Sequence, residues 1–139
     1  AEGKGTRYLQ IAQSDSGWTA TEKWTSREFR PYFNDYVLHK GYCYGFDGNM
    51  LVCMDSATGY RRWKGPRCGG QVLLVENSDA LIVLTEKGDL MLVHANPSEY
   101  KMMAKIKALT GKTWNHPVVA NGKLFVRNAE EAACYDLPA

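Results

Sequence analysis

Short apolar runs follow one another along the whole chain, and each run ends at polar or glycine-containing residues. Val, Leu, Ile, Tyr and Phe dominate these runs, which favours β-strands, and none is long enough to predict a convincing helix. The runs Met50–Met54 and Ala80–Leu84 are apolar at every position. A strand of that kind must be covered on both faces, so the pattern predicts sheets that pack between other sheets.

Glycine-containing dipeptides separate the runs at places where hairpins need a turn, because glycine adopts positive φ without strain. These dipeptides are Lys40-Gly41, Asp47-Gly48, Lys87-Gly88 and Asn121-Gly122. We expect the hairpin Tyr42–Asp55 to turn at Asp47-Gly48, which would place Cys43 opposite Val52.

The runs also repeat, with a period of about 40 residues. Segments 48–63 and 88–103 align without a gap, which places Cys53 on Val93. A partial copy at the start of the chain places Ile11 on the same Val93. A repeat of this length built from short strands indicates propeller blades or another repeat array.

The repeat predicts an all-β chain of four-stranded antiparallel propeller blades, with residues 1–139 as one partial propeller region. Its repeat units are 5–26, 30–65, 69–109 and 114–137. The first unit supplies roughly two strands, each full unit four and the last unit three, which makes about three and a quarter blades. Closed propellers have roughly four to eight blades, so we expect an incomplete propeller.

Two local predictions depend on the same repeat. The segment Ser98–Leu109 also fits a capped helix, but its alignment with Trp18–Trp24 favours a strand, which we predict. Apolar repeat positions are expected to be buried between blades: Leu51, Cys53, Leu81, Val83, Met91, Val93 and Phe125.

The composition is that of a globular protein. Hydrophobic residues make up 45% of the 139 residues and charged residues 23%, close to the globular average. A net charge of +2 is too small to indicate nucleic-acid binding, and no apolar run approaches the roughly 18 residues of a membrane helix. The chain has no leader-like start and no initiator Met, so we expect a processed or excised piece.

The four cysteines form no recognisable framework. Cys43 and Cys53 fall out of register in the predicted hairpin, Cys134 repeats the Cys53 position, and Cys68 lies in a glycine-rich loop. Disulfide bonds are compatible with the sequence but not indicated by it. We expect buried, reduced cysteines and one loop thiol.

One unit contains a signature of spaced residues: Cys53, Asp55, Thr58, Gly59 and Trp63. It resembles the repeat of quinoprotein (PQQ-type) β-propellers, and the resemblance extends over nearly the whole chain. The resemblance implies the C-terminal blades of a PQQ-like propeller protein and an exported, periplasmic or extracellular location. Most such proteins are named for the repeat and not for a bound quinone, so activity does not follow from it.

Dehydrogenases of this family hold PQQ between a tryptophan floor and a vicinal disulfide, with calcium and an aspartate base. The chain contains no adjacent pair of cysteines. Trp63 falls on a predicted outer strand, where we expect it to staple neighbouring blades. We therefore expect no cofactor in this segment, and PQQ with calcium only if the chain is part of such a dehydrogenase.

Few residue clusters suggest catalysis. His39 and Cys43 are close in sequence but lie on opposite sides of the Lys40-Gly41 turn, so we expect a solvated histidine and no Cys–His nucleophile. The histidines and cysteines lack the spacing of a zinc site. Glu130-Glu131 is expected at a solvated hairpin tip.

The segment Trp114, Asn115 and His116 is the candidate ligand-facing site. It precedes Pro117 at the start of the last unit, where aromatic, amide and imidazole groups would recognise a small polar ligand at a channel mouth. The basic run Arg61–Lys64 lies on an outer strand, where such residues discourage further strand pairing, so we expect no nucleic-acid partner.

These observations favour a non-catalytic PQQ-like propeller segment that serves as a binding or assembly scaffold. Two alternatives stay open: a fragment of a PQQ-dependent (quinoprotein) dehydrogenase, and a segment of an outer-membrane assembly lipoprotein. The expected partner is a second copy, most simply in a dimer, or missing upstream blades. In the dimer, strand Tyr8–Gln13 of one copy would complete the blade that ends at Tyr135 of the other.

Overall fold

The computed structural model describes residues 3–137. These residues form thirteen β-strands and one 3-10 turn, Glu76–Ser78. The first six strands are β1 (Thr6–Ser14), β2 (Gly17–Ser26), β3 (Val37–His39), β4 (Tyr42–Asp47), β5 (Met50–Asp55) and β6 (Arg61–Arg67). The others are β7 (Gly70–Val75), β8 (Ala80–Thr85), β9 (Asp89–His94), β10 (Met102–Lys107), β11 (Val118–Ala120), β12 (Lys123–Arg127) and β13 (Ala132–Asp136).

The strands form four antiparallel sheets, which we call blade 1 (β1–β2), blade 2 (β3–β6), blade 3 (β7–β10) and blade 4 (β11–β13). Each sheet keeps the chain order of its strands. The all-β prediction and the two complete four-stranded units are confirmed. The segment for which a helix was the alternative contains β10, so the predicted strand is also confirmed.

The β4–β5 turn lies one residue later than predicted. Asp47 pairs with Met50, which leaves Gly48 and Asn49 as the turn, and Cys43 consequently pairs with Met54 and not with Val52. Asp47 stays in the strand because its buried carboxylate accepts hydrogen bonds from the preceding connection, as described below.

The equivalent turn in blade 3 has a different length. The gap-free alignment of segments 48–63 and 88–103 is therefore wrong. Thr85 ends β8 and Asp89 begins β9, so three residues separate these strands where two separate β4 and β5. As a result, Cys53 and Val93 do not occupy the same place in their blades. They belong to one apolar core and approach it from opposite sides, Cys53 from blade 2 and Val93 from blade 3.

Apolar cores between successive sheets hold the chain together. The core between blades 2 and 3 contains Tyr44, Phe46, Leu51, Cys53, Trp63, Val72, Leu81, Val83, Met91 and Val93. In β5, Leu51 points into this core, whereas Val52 belongs to the core on the opposite face. The run that is apolar at every position is therefore covered on both faces, as predicted.

Phe125 is the one residue of the predicted core that is not buried. Its exposed fraction is 43%, whereas those of Leu124 and Val126 are 3% and 2%. Leu124 and Val126 pack towards blade 3. Phe125 therefore points to the other face of blade 4, which no further sheet covers among residues 3–137.

Tryptophans on the outer strands link blade 1 to blade 2 and blade 2 to blade 3. The Nε1 atom of Trp24 donates to the Ser56 carbonyl at 3.1 Å, and that of Trp63 donates to the Asn96 carbonyl at 2.7 Å. The predicted stapling role of Trp63 is confirmed. Gly59, with φ +74°, lies against the Trp24 ring, and a Cβ there would be 2.8 Å from it.

Blade 1 is a ribbon that touches the other blades only at its base. Tyr8 pairs with Trp24 in blade 1, and Cys53 pairs with Trp63 in blade 2. Tyr8, and not Ile11, therefore occupies the repeat position of Cys53. Because β5 ends at Asp55 whereas β1 runs on to Ser14, the ribbon extends beyond the other sheets. No residue of segment 9–22 is buried.

Candidate binding surfaces

The connections between blades lie at the same end of the molecule as the turns between the second and third strands of each blade. We call this end the connection end. It comprises the connections 27–36, 68–69 and 108–117 and the turns 48–49, 86–88 and 128–131. Backbone hydrogen bonds join its parts. Gly48 N donates to the Arg30 carbonyl at 3.1 Å, and Thr113 N donates to the Glu86 carbonyl at 2.9 Å. The connections are therefore held in place although they lack regular secondary structure.

A buried carboxylate fixes the first connection. The Asp47 side chain is 3% exposed and accepts hydrogen bonds from Arg30 N at 3.1 Å and from Arg30 Nε at 3.0 Å. Arg61 Nη1 lies 3.3 Å from the other oxygen and also donates to the Glu28 carbonyl at 2.9 Å. Two guanidinium groups thus compensate the buried charge. Because Arg61 is directed inward, the basic run Arg61–Lys64 exposes fewer charges to solvent than its sequence indicated.

The structure places Trp114, Asn115 and His116 at the connection end, just before β11. Trp114 is 62% exposed, Asn115 is half-buried and His116 is exposed. The ammonium group of Lys112 lies 4.5 Å from the centre of the Trp114 ring. His116 Nε2 lies 3.3 Å from Asp35 Oδ2, so the last connection meets the first one here.

Exposed aromatic side chains of the first connection lie at the same end, and the sequence pattern did not predict them. Tyr32 is 58% exposed and Phe33 is 83% exposed, with ring centres 4.2 Å apart. A cleft of about 450 Å³ opens beside Tyr32, and Arg30, Asn34, Asn49 and Glu86 also line it. The available signal was the aromatic cluster of segment 32–36 in a region without strand pattern.

His39 was expected to lie in solvent, but the structure buries it. It is 4% exposed, and its Nε2 lies 2.5 Å from Asp79 Oδ1, while Lys40 Nζ lies 2.7 Å from the same oxygen. These contacts hold the pKa of Asp79 at about 2. The group therefore links the first turns of blades 2 and 3, away from the connection end, and His39 is paired with a carboxylate rather than with Cys43.

All four cysteines are free thiols. Burial raises the pKa of Cys53 to about 12 and that of Cys68 to about 11, and it also raises the pKa of Cys43. A thiol with a raised pKa is a poor nucleophile. Cys134 is exposed, contrary to the expectation that only the loop thiol would be accessible.

The residues of the signature do not fit a PQQ site. Cys53 and Trp63 lie in the core between blades 2 and 3, and Asp55 accepts hydrogen bonds from Ala57 N and Thr58 N in the turn after β5. Cys53 and Trp63 therefore serve packing, and the Asp55 carboxylate serves the turn. Within residues 3–137 no group of three or more His, Cys, Asp and Glu side chains is arranged to hold a metal ion.

Blade 4 ends in an uncovered edge beside an apolar groove of about 170 Å³. Residues of blades 3 and 4 line the groove: Ile82, Leu90, Met91, Leu92, Ala104, Lys105, Ile106, Leu124 and Leu137. In blade 3 the fourth strand, β10, pairs with β9, whereas in the described part of blade 4 the third strand, β13, pairs only with β12. The groove therefore lies where a fourth strand of blade 4 would pack.

A second uncovered surface lies between the base of the ribbon and blade 2. This cleft of about 470 Å³ is lined by Tyr8, Trp24, Tyr36 and Leu38, and Leu38 is 60% exposed. In the described chain blade 1 contains only the last two strands of a unit, so nothing within residues 3–137 covers the first strand of blade 2 on this face.

No protein-family model matches the chain, and no curated protein matches it. Among solved structures, BamB from Moraxella catarrhalis is similar, with a TM-score of 0.65 over 94% of this chain at 14% sequence identity. The chain covers 41% of the BamB chain. At this identity the likeness concerns the fold alone, and it supports a β-propeller-type fold. No helix formed by residues 3–137 is long and apolar enough to cross a membrane.

Proposed function

We propose that this chain is a non-catalytic, PQQ-like propeller segment that acts as a binding or assembly scaffold, with the connection end as its binding surface. The observation that carries the proposal is the exposure of Tyr32, Phe33 and Trp114 on connections that hydrogen bonds hold in place. Exposed aromatic residues on a fixed backbone lose little conformational entropy on binding and are typical of interface hot spots. Trp114, Asn115 and His116 form the part of this surface that faces a ligand.

Site-specific photo-cross-linking tests this proposal. A photoreactive phenylalanine analogue at position 33 should cross-link a partner from the native extract, and Trp114→Ala should weaken the cross-link severalfold. The matched control places the same analogue at position 60, because Tyr60 is 70% exposed but lies in a turn at the other end of blade 2. Equal cross-linking at positions 33 and 60, or none at 33, would contradict the proposal.

The same experiment tests the alternative that the chain is a segment of an outer-membrane assembly lipoprotein. In that case the cross-linked partner would be an outer-membrane assembly component. A PQQ-dependent dehydrogenase would instead bind PQQ with calcium and oxidise an alcohol or sugar in a dye-linked assay. Since Cys53 and Trp63 are committed to the core, we expect neither binding nor oxidation from these residues. An exported location stays part of the proposal, on the strength of the sequence resemblance.

A further inference from the structure

The cleft beside Tyr32 lies among segments of the connection end that hydrogen bonds hold in place. Gly3 and Gly48 contribute backbone to its lining, and five residues contribute side chains: Arg30, Tyr32, Asn34, Asn49 and Glu86. The Asn49 carbonyl accepts hydrogen bonds from Cys68 N at 2.9 Å and from Gly69 N at 3.0 Å. A volume of about 450 Å³ lies in the range of small-molecule sites, and walls held in place lower the entropic cost of binding.

The cleft contains one cation and one anion that do not pair with each other. Arg30 uses its Nε atom, which donates to Asp47 at 3.0 Å, while no residue among 3–137 accepts from its two Nη groups. The Glu86 carbonyl accepts from Thr113 N, whereas the exposed carboxylate of Glu86 forms no hydrogen bond or ion pair within the same range. Opposite charges that stay apart in one cleft complement a ligand that carries both a carboxylate and an ammonium group.

Two amide groups of the lining have complementary unused atoms. Asn34 Nδ2 donates to the Gly70 carbonyl at 2.6 Å, and Asn49 Oδ1 accepts from Arg67 Nη1 at 3.3 Å. These bonds decide the orientation of each amide, so Asn34 Oδ1 remains as an acceptor and Asn49 Nδ2 remains as a donor. A peptide group requires the same pair, an acceptor for its N–H and a donor for its carbonyl oxygen.

We propose that the cleft binds a short peptide of two or three residues with free ends. The ligand carboxylate pairs with the Nη groups of Arg30, and the ligand ammonium group pairs with Glu86. A peptide group between these charges uses the unused amide atoms of Asn34 and Asn49, and an apolar side chain of the ligand packs against the Tyr32 ring. The inference rests on the connection end as a binding surface and names a ligand class for it.

Isothermal titration calorimetry with small synthetic peptides tests the ligand class. Alanyl-phenylalanine or alanyl-alanyl-phenylalanine should bind with a dissociation constant below about 1 mM. The N-acetylated and the C-amidated forms of the peptide that binds should each bind at least about fivefold more weakly, because each lacks one charge. Free phenylalanine should also bind more weakly, since it has both charges but no peptide group. Binding of neither free peptide, or equal binding of a capped form or of phenylalanine, would overturn the inference.

Glu86→Gln and Glu99→Gln form a matched pair of variants. Both carboxylates are exposed, but Glu99 lies between β9 and β10, at the other end of blade 3. Glu86→Gln should weaken the binding of the free peptide at least about fivefold and should not change the binding of the N-acetylated form, which has no ammonium group. Glu99→Gln should bind both forms like the native chain. Equal effects of the two substitutions would mean that general surface charge attracts the peptide, and the proposed contact would be wrong.

Arg30→Lys tests the other end of the ligand. Lysine keeps a positive charge beside Asp47 but lacks the paired Nη groups, so the free peptide should bind more weakly while the C-amidated form binds as before. Thermal denaturation shows whether this variant is folded, and if it is not, the Glu86 pair decides. The cross-linking at position 33 uses no added peptide. Its loss would therefore overturn the scaffold function, whereas absence of peptide binding with the cross-link retained would overturn only the ligand class.

Discussion

At the scale of single residues, Gly59 shows how a turn residue stabilises a contact between blades. Its φ of +74° disfavours any other residue, and a Cβ would collide with the Trp24 ring. Gly41 has a similar φ of +83° with open space around it, so Gly41→Ala measures the backbone strain alone. We expect Gly59→Ala to lower the free energy of unfolding by about 1–3 kcal/mol more than Gly41→Ala does. Urea denaturation followed by tryptophan fluorescence would measure both, and equal losses would contradict the contact.

Asp79 predicts a pH dependence at the same scale. Hydrogen bonds from Lys40 and His39 lower its pKa to about 2 in the folded chain. A lowered pKa stabilises the fold fully above the unfolded-state pKa of about 4, and the stabilisation is lost as the pH falls towards about 2. Asp79→Asn should therefore be less stable than the native chain at pH values of about 6–7, and the difference should shrink below about pH 4. A difference that does not change with pH would show that the carboxylate charge is not involved.

At the scale of strands, the sequence predicts the pairing of segments more accurately than it predicts their register, which decides the side chains that face each other. The apolar runs and turn residues located the hairpin of β4 and β5, but the turn begins one residue later because Asp47 is held in the strand by Arg30. That contact joins residues far apart in sequence, so no local pattern reveals it. Similarly, the exposed aromatic residues of segment 32–36 carry no strand or helix period, which is why they were missed.

Strand β12 gives a direct test of side-chain orientation. Leu124 packs against blade 3, whereas Phe125 lies on the uncovered face of blade 4. Leu124→Ala should lower the free energy of unfolding by about 2–5 kcal/mol, and Phe125→Ala by less than about 1 kcal/mol. The opposite order in thermal or urea denaturation would show that the strand is rotated by one residue.

At the scale of the whole molecule, the repeat predicts the architecture because each blade packs against its neighbours in the chain. Apolar cores lie between blades 2 and 3 and between blades 3 and 4. Because each repeat unit contacts only its neighbours, the period carries no information about the outer faces of blades 1 and 4, to which the described residues contribute two and three strands.

Hydrogen exchange should record the difference between the ribbon of blade 1 and the covered strands of the other blades. Amides of β5 and β8 lie between covered faces and should exchange only through global unfolding, whereas amides of segment 9–22 should exchange much faster, since no residue of that segment is buried. Mass spectrometry of deuterium uptake would measure the difference. Equal protection of segment 9–22 and β5 would contradict the description of blade 1 as an uncovered ribbon.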